Sequence, residues 1–437
     1  MYFASAPTQA DRLTRELGRA RPYNEPMLDH RKEHEWPAEG ATRVPYWVYQ
    51  DEEIYREEQQ RIFHGPTWSY LCLEAELPDP GSFVTTFVGE MPVVVSRDPQ
   101  GALHAFENRC AHRGALICMQ ARGRAERFNC IYHNWTYDHA GNLTHVAFRN
   151  GIAGKGGMPA DANPESQSPK QLRVESIGGL VFGTLSESAG SLETYIGPEV
   201  LPRLKRVLVK PLKVLGTYTQ VLPNNWKLYM DNVKDTYHAS LLHLFFTRFR
   251  INRLTQKGGV FVSSDGAHHC TYTEMVEDRG DAYEKDGMRS AGSSEFQLED
   301  PRVLDQADEF GDRVAIQILS LFPGFVLHQI RNSLAARQVV PKGTGRTELH
   351  WTLFGFADDD EAMTRRRLLQ ANLVGPAGYI SMEDGAATGF VQRGVAGSPE
   401  SASVIEMGGS VVGSGDSRIT ETAVRGLWKA WRQYMQV

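Results

Sequence analysis

The sequence predicts an α+β protein, an all-β region in the first half followed by a mixed region whose antiparallel sheet is flanked by helices. Short alternating runs crowd the chain from Trp68 to Leu185, and after Leu185 longer helical patterns interleave with strand patterns. At 437 residues there is room for two or three domains. The expected division is an arm over residues 1–40, a β domain over 41–188 and a mixed domain over 189–437.

The arm is polar, carries Pro22, Pro26 and Pro37, and has one helical stretch, Asp11–Arg19. GSFVTTFVGEMPVVVSRD (Gly81–Asp98) reads as a hairpin with a Gly-Glu turn. Leu103–Glu107, Trp135–Tyr137 and Gly178–Leu185 read as further strands, and Asn150–Pro169 as a long loop. Helices are expected over Ser191–Val207 and from Trp226 through His243, with a strand over Val214–Leu222 between them. Gly259–Ser263, Ala315–Leu319, Phe325–Gln329, Ala335–Pro341 and Glu348–Phe356 are expected to form one antiparallel sheet, with Glu361–Leu373 and Glu421–Met435 as helices.

Composition excludes several classes of function. A net charge of -6 without long charge runs leaves no basic face for nucleic acid. Apolar stretches such as Ala315–Leu327 are too short and too interrupted to span a bilayer, and the first residues lack an apolar export core, so a cytoplasmic location is expected. Five cysteines do not make a disulfide framework; they point to thiols with individual roles, with Cys72, Cys118 and Cys270 as core or surface thiols.

Cys110 and His112 form C-x-H, and Cys130 and His133 form C-x2-H, both at turns within the β-rich region. Zinc fingers of the usual kind group Cys with Cys and His with His. Mixed pairs on two loops suit an asymmetric [2Fe-2S] centre, with both thiolates on one iron and both imidazoles on the other. A zinc clip is the competing reading.

A second cluster lies in NNWKLYMDNVKDTYHASLLHLFF (Asn224–Phe246). Asp235 and His238 share a helix face, but His238 and His243, five residues apart, would point about 140° apart on an ideal helix. Both can reach one ion only if the helix bends or ends between them. Two His and one carboxylate form the facial triad of non-haem Fe(II) enzymes that activate O2. Asn372–Phe390 supplies Glu383 and Asp384, otherwise an acidic turn, and chemistry alone does not choose between these carboxylates and several others.

The block C-A-H-R-G at Cys110–Gly114, followed by C-x-Y-H-x-W at Cys130–Trp135, resembles a Rieske iron–sulfur domain. With D-x2-H-x4-H at Asp235–His243 and G-P-A-G before an acidic pair, nearly the whole chain resembles the large (α) subunit of aromatic-ring-hydroxylating Rieske oxygenases. The resemblance implies Cys110 and Cys130 on one iron, His112 and His133 on the other, and His238, His243 and Asp384 on a mononuclear Fe(II), with Glu383 its neighbour. Asp235 would bridge His133 of one subunit to His238 of the next, which implies an α3 homotrimer or, with a small β subunit, α3β3. Electrons would come from NAD(P)H through a separate reductase, with or without a ferredoxin, because the chain has no flavin or dinucleotide fingerprint of its own.

NVKDTYHASLLH, GPAGYISMEDGA, FENRCAHRGALI and TETAVRGLWKAW carry a resemblance to α subunits acting on aromatic carboxylates such as terephthalate, anthranilate or salicylate. It implies cis-dihydroxylation of the ring with O2, or monooxygenation as in salicylate 5-hydroxylases. A carboxylate in a dry pocket needs a cation, preferably a bidentate one, and Arg337 and Arg418 are the candidates. Met230, Val374 and Ile380 are candidate apolar walls; Ile380 stands where naphthalene-type enzymes hold a large aromatic, which favours a single ring. The competing class is an electron carrier or zinc-stabilised binding protein that uses only the Cys–His pairs.

Overall fold

Alternating apolar residues in Ser82–Val88 and Met91–Arg97 form two strands joined at Gly89, whose φ of 58° provides the left-handed backbone that a tight hairpin demands. In this computed structural model the described residues are 34–249, 251–275, 282–288 and 298–437. The expected helix at Asp11–Arg19 lies outside them.

The strands are, in order, β1 (Arg43–Pro45), β2 (Ser69–Leu73), β3 (Ser82–Val88), β4 (Met91–Arg97), β5 (Leu103–Glu107), β6 (Arg122–Arg124), β7 (Phe128–Asn129), β8 (Thr136–Tyr137), β9 (Leu143–His145), β10 (Gln171–Ile177), β11 (Leu180–Thr184) and β12 (Leu212–Leu222). They continue with β13 (Gly258–Val262), β14 (His269–Glu274), β15 (Val314–Leu321), β16 (Phe325–Ile330), β17 (Ser333–Pro341), β18 (Thr347–Phe356) and β19 (Ala402–Val404). The helices are α1 (Glu52–Glu58), α2 (Leu192–Ile196), α3 (Leu201–Val207), α4 (Trp226–Lys234), α5 (Ala239–Leu242), α6 (Leu244–Arg248), α7 (Ala282–Lys285), α8 (Glu361–Val374), α9 (Tyr379–Val395) and α10 (Thr422–Met435).

The first large sheet has the order β2-β11-β10-β5-β4-β3-β6, with the small sheet β7-β8-β9 beside it. The second has the order β12-β18-β17-β16-β15-β14-β13 and is antiparallel throughout, as expected. Strand residues alternate between faces. Leu319, Leu327, Leu334 and Ala336 pack with Tyr70, Leu180 and Phe182 of the first sheet in one core. Gln338 reinforces this contact by donating to the carbonyls of Tyr70 and Phe87, each at 2.8 Å. The opposite face of the second sheet carries α4 and α8, and α9 packs against both of them. No helix among the described residues is long and apolar enough to cross a membrane.

Three expectations are corrected. The segment expected as one helix over Ser191–Val207 is α2 and α3, broken at Gly197, where φ is 79°. The helix expected from Trp226 through His243 ends at Lys234, and the segment read as an acidic turn around Glu383 lies inside the 17-residue helix α9. Cys72, Cys118 and Cys270 are all buried.

Glu58 fastens three helices together. Fully buried on α1, it pairs with Lys227 of α4 at 2.6 Å and accepts hydrogen bonds from the indoles of Trp226 and Trp431, each at 2.8 Å. Burial pushes its carboxyl up and Lys227 opposes the shift. Glu58→Ala leaves an ammonium buried without its counter-charge, and equilibrium unfolding is expected to give a stability loss of about 3–5 kcal/mol.

Candidate metal centres

The two Cys–His loops repeat one backbone pattern. In each, the amide of the cysteine bonds the carbonyl five residues on, Ala115 for Cys110 (2.7 Å) and Trp135 for Cys130 (2.8 Å). The residue four on, Gly114 (φ 73°) or Asn134 (φ 54°), returns its amide to the cysteine carbonyl. A glycine or an asparagine is what a left-handed position tolerates. Cys110 and Cys130 are buried, while His112 is exposed and His133 half-exposed, with their Nδ1 atoms 3.1 Å apart. Two neighbouring buried thiols opposite two converging imidazoles fit an asymmetric two-iron cluster better than a tetrahedral zinc site.

Around the loops, the Trp135 ring stacks on His112 at 4.8 Å and 10°. The Tyr137 hydroxyl donates to Cys110 Sγ at 3.1 Å and accepts from the Ala111 amide. Sequence reasoning gave Tyr137 no role beyond a strand residue.

The second constellation depends on how α4 ends. Asp235 is extended (ψ 110°), and its Oδ1 accepts from the Tyr237 amide at 2.8 Å, the side-chain turn by which aspartate stops a helix. His238 then precedes the single turn α5, and His243 (ψ 90°) sits in the break between α5 and α6. The backbone between the two histidines stays helical, with the His243 amide on the Ala239 carbonyl at 3.3 Å, and the two rings meet with centroids 5.5 Å apart. Single donor atoms of His238, His243 and Asp384 lie within 4.8 Å of one another.

Each imidazole is held at both ends. His238 Nδ1 lies 3.2 Å from Asp235 and its Nε2 3.4 Å from Asp384 Oδ1. His243 Nδ1 lies 2.8 Å from Glu383 and its Nε2 3.1 Å from the same Asp384 oxygen. Carboxylates on both Nδ1 atoms fix the tautomer that leaves Nε2 as the metal donor. Burial opposes charge on His238, but Asp235 and Asp384 push it up to about 10. Burial would also raise Asp384, yet the two imidazoles hold it well below the carboxylate range. A cation bound here takes the place of the proton on His238. The amide nitrogen of Asn232 lies 3.1 Å from His238 Nε2 and 3.2 Å from Asp384 Oδ1; its proximity was not read from the sequence.

α9 reaches this point because it lacks side chains where it meets β12. A Cβ on Gly385 would lie 2.8 Å from Leu222, and one on Gly389 would lie 3.2 Å from Pro223. Asn224 donates to Thr388 at 2.7 Å and the Asn225 amide to Gln392 at 2.8 Å, which locks the start of α4 to α9.

Of the candidate pocket residues, Arg337 is buried on the helix-bearing face of the second sheet. It lies over Trp351 at 4.3 Å, donates to the Tyr229 hydroxyl at 2.9 Å, and reaches His328 Nδ1 at 3.2 and 2.6 Å. Arg418 is also buried, and donates to Asn252 and to the carbonyls of Arg253 and Gln256; burial pulls it down to about 10. Neither guanidinium has a carboxylate partner among the described residues. Val374 and Ile380 join Phe246, Ile251, Ile316 and Ile330 in one apolar cluster, whereas Met230 is fully buried outside it.

Residues 67–153 match the Rieske [2Fe-2S] domain and residues 209–437 the catalytic domain of ring-hydroxylating alpha subunits. The chain is 54% identical to the terephthalate 1,2-dioxygenase terminal oxygenase component subunit alpha 2 of a Comamonas species, covering 92% of this chain and 97% of that one. It is 45% identical to the anthranilate 1,2-dioxygenase large subunit of Burkholderia cepacia, over 92% and 95% of the two chains. The crystal structure of naphthalene 1,2-dioxygenase from Rhodococcus sp. bound to indole has the same fold, with a TM-score of 0.74 at 22% identity over 90% of this chain and 94% of that one.

A hydrogen bond to a cluster thiolate favours the more negative reduced state, so Tyr137→Phe is expected to lower the cluster potential. Its size, a net hydrogen bond of about 1 kcal/mol, corresponds to roughly 20–60 mV in a one-electron couple. Protein-film voltammetry measures it.

Proposed function

The chain belongs to the ring-hydroxylating oxygenase α-subunit family, with a Rieske [2Fe-2S] region ahead of its catalytic region, and on that premise we propose that its substrate is an aromatic dicarboxylate of the terephthalate type. The observation that carries this reading is the pair of buried arginines, Arg337 and Arg418, whose acceptors among the described residues are all neutral. A buried cation without a counter-charge is costly, and a ligand carboxylate supplies one. Arg337 sits beside Tyr229, which feels the charge of Asp384, and Arg418 lies by Asn252, next to Ile251 of the apolar cluster. An apolar ring with a carboxylate at each end suits that sequence of surfaces, and Val374 and Ile380 are its proposed walls. A monocarboxylate is the second reading, favoured by the three acceptors that already occupy Arg418.

In this proposal Cys110, Cys130, His112 and His133 hold the [2Fe-2S] cluster, and His238, His243 and Asp384 hold the mononuclear iron. When bound, the cluster would supply single electrons and the iron would supply O2 activation. Asp235 and Glu383 orient the two imidazoles through Nδ1, and Arg337 positions the acid by its carboxylate. An electron carrier or zinc-stabilised protein is not favoured, because neither calls for the catalytic region matched over residues 209–437.

The partners we propose are a separate NAD(P)H-dependent reductase, with or without a ferredoxin, and further copies of the α chain, with or without a small β subunit. Two exposed apolar surfaces support association of copies: Leu116, Met119, Ile131 and Tyr132 at the cluster loops, and Tyr379, Met382 and Phe390 on α9 beside Asp384. Asp235, a fifth exposed, then carries the electron from His133 of one subunit to His238 of the next.

A panel of terephthalate, phthalate, benzoate, anthranilate and salicylate is assayed with the reductase supplied. Terephthalate is expected to give the highest ratio of ring-hydroxylated product to NADH oxidised; a preference for anthranilate or salicylate selects the monocarboxylate reading. Asp235→Ala is expected to keep the iron content of the wild type and lose most turnover, on the order of 100-fold, since a carboxylate behind a ligand histidine is commonly worth 10–100-fold. Metal analysis and oxygen consumption read the two halves of that outcome.

A further inference from the structure

Asn232, in the last turn of α4, extends its amide into the histidine–carboxylate site. Its Nδ2 donates to Asp384 Oδ1 at 3.2 Å and lies 3.1 Å from His238 Nε2. The same Asp384 oxygen lies 3.4 Å from His238 Nε2 and 3.1 Å from His243 Nε2, so the amide stands beside the atoms that would hold a metal. Its other atom, Oδ1, is buried and has no hydrogen-bond partner among the described residues. A buried acceptor without a donor calls for an explanation.

The spacing supplies one. Two donor atoms about 2.1 Å from one ion and at right angles to each other stand about 3.0 Å apart. The Asn232 amide nitrogen keeps nearly that distance from both His238 Nε2 and Asp384 Oδ1, as His243 Nε2 does from Asp384 Oδ1. An amide N–H has no lone pair for a cation and is repelled by one, whereas an amide carbonyl oxygen is an ordinary ligand of divalent ions. A half-turn about the Cβ–Cγ bond exchanges the two atoms without moving α4. It places Oδ1 where Nδ2 stands, at the same distances from the two neighbouring donors.

We propose that Asn232 is a fourth protein ligand of the mononuclear metal, its amide turned so that Oδ1 joins His238, His243 and Asp384. The inference rests on the metal site assigned in the proposed function. The oxygen gains the partner it lacks, and because the amide is neutral the charge of the donor set does not change. One of the positions that two histidines and a carboxylate leave open is thereby closed, so fewer are left to water. It also ties the metal directly to α4, three residues before the Asp235 that ends that helix.

Co(II) binding tests this without reference to turnover. The full-length oligomer, its cluster intact, is stripped of mononuclear metal by mild chelation and titrated with Co(II) against a chelating indicator. Asn232→Ala removes the oxygen, and Asn232→Asp keeps one. Asn232→Ala is expected to raise the Kd for Co(II) about 10- to 100-fold, the range for groups that support a metal site, and Asn232→Asp to bind at least as tightly as wild type. An Ala variant that binds Co(II) as tightly as wild type, or an Asp variant as weak as the Ala variant, overturns the inference alone. A wild-type oligomer whose stripped site takes up no Co(II) overturns the assignment of the metal site and this inference with it. If either variant does not fold, a crystal structure of the Co(II)-loaded wild type decides: Oδ1 of Asn232 bonded to the ion supports the role, and an amide turned away from the ion overturns it.

Discussion

The interruption of α4 at Asp235 is the constraint on which the catalytic region depends. Beyond that break His238 and His243 stand at the two ends of the single turn α5, with their ring centroids 5.5 Å apart. Asp235 ends the helix by taking the Tyr237 amide with one oxygen, and the other lies against His238 Nδ1. The same side chain thus ends the helix and orients one of the two rings. Around it, the Asn224–Thr388 and Asn225–Gln392 hydrogen bonds hold the His-bearing segment to the helix that carries Asp384.

Charge compensation organises the rest. Asp235, Glu383 and Asp384 surround the two imidazoles, so the donor set carries more negative than positive charge and favours a divalent cation. A short distance away the imbalance reverses, with Arg337 and Arg418 buried among neutral acceptors. A site that collects a cation at one point and calls for anions nearby is suited to hold a metal and an acidic substrate side by side. Glu58 and Lys227 belong to the scaffold instead, each compensating the other.

Much of this was legible in the residues. The mixed Cys–His pairs stand out because both halves of each pair are local, within four residues of each other, and the strands of the second sheet alternate clearly enough to be placed. What was hidden depends on tertiary contact. β14 reads HCTYTE and has too few apolar residues to announce a strand, though it pairs along its length with β15. α9 carries two glycines in its middle, Gly385 and Gly389, whose role in the close approach to β12 appears only in the fold. Spacing called for a bend between His238 and His243, whereas the chain stays helical between them and breaks before His238, at Asp235. His328 and Tyr137 gave no local signal, because their partners are Arg337, on a neighbouring strand, and Cys110, 27 residues away. Asn232 had one, since it lies a helical turn and a half before His238, and a search for polar side chains facing the metal could have found it.

We propose that electrons received at one chain's cysteine–histidine loops are used at another chain's histidine–carboxylate site. It is tested most directly by complementation within one oligomer. A chain disabled at the cluster by Cys110→Ser is co-expressed with a chain disabled at the iron by Asp384→Ala, and mixed oligomers are isolated through two different tags. Each parent alone should be inactive. Transfer between subunits pairs an intact cluster with an intact iron in a neighbouring chain, so the mixed oligomers should recover substrate-dependent oxygen consumption. Mixed oligomers as inactive as their parents would contradict the account.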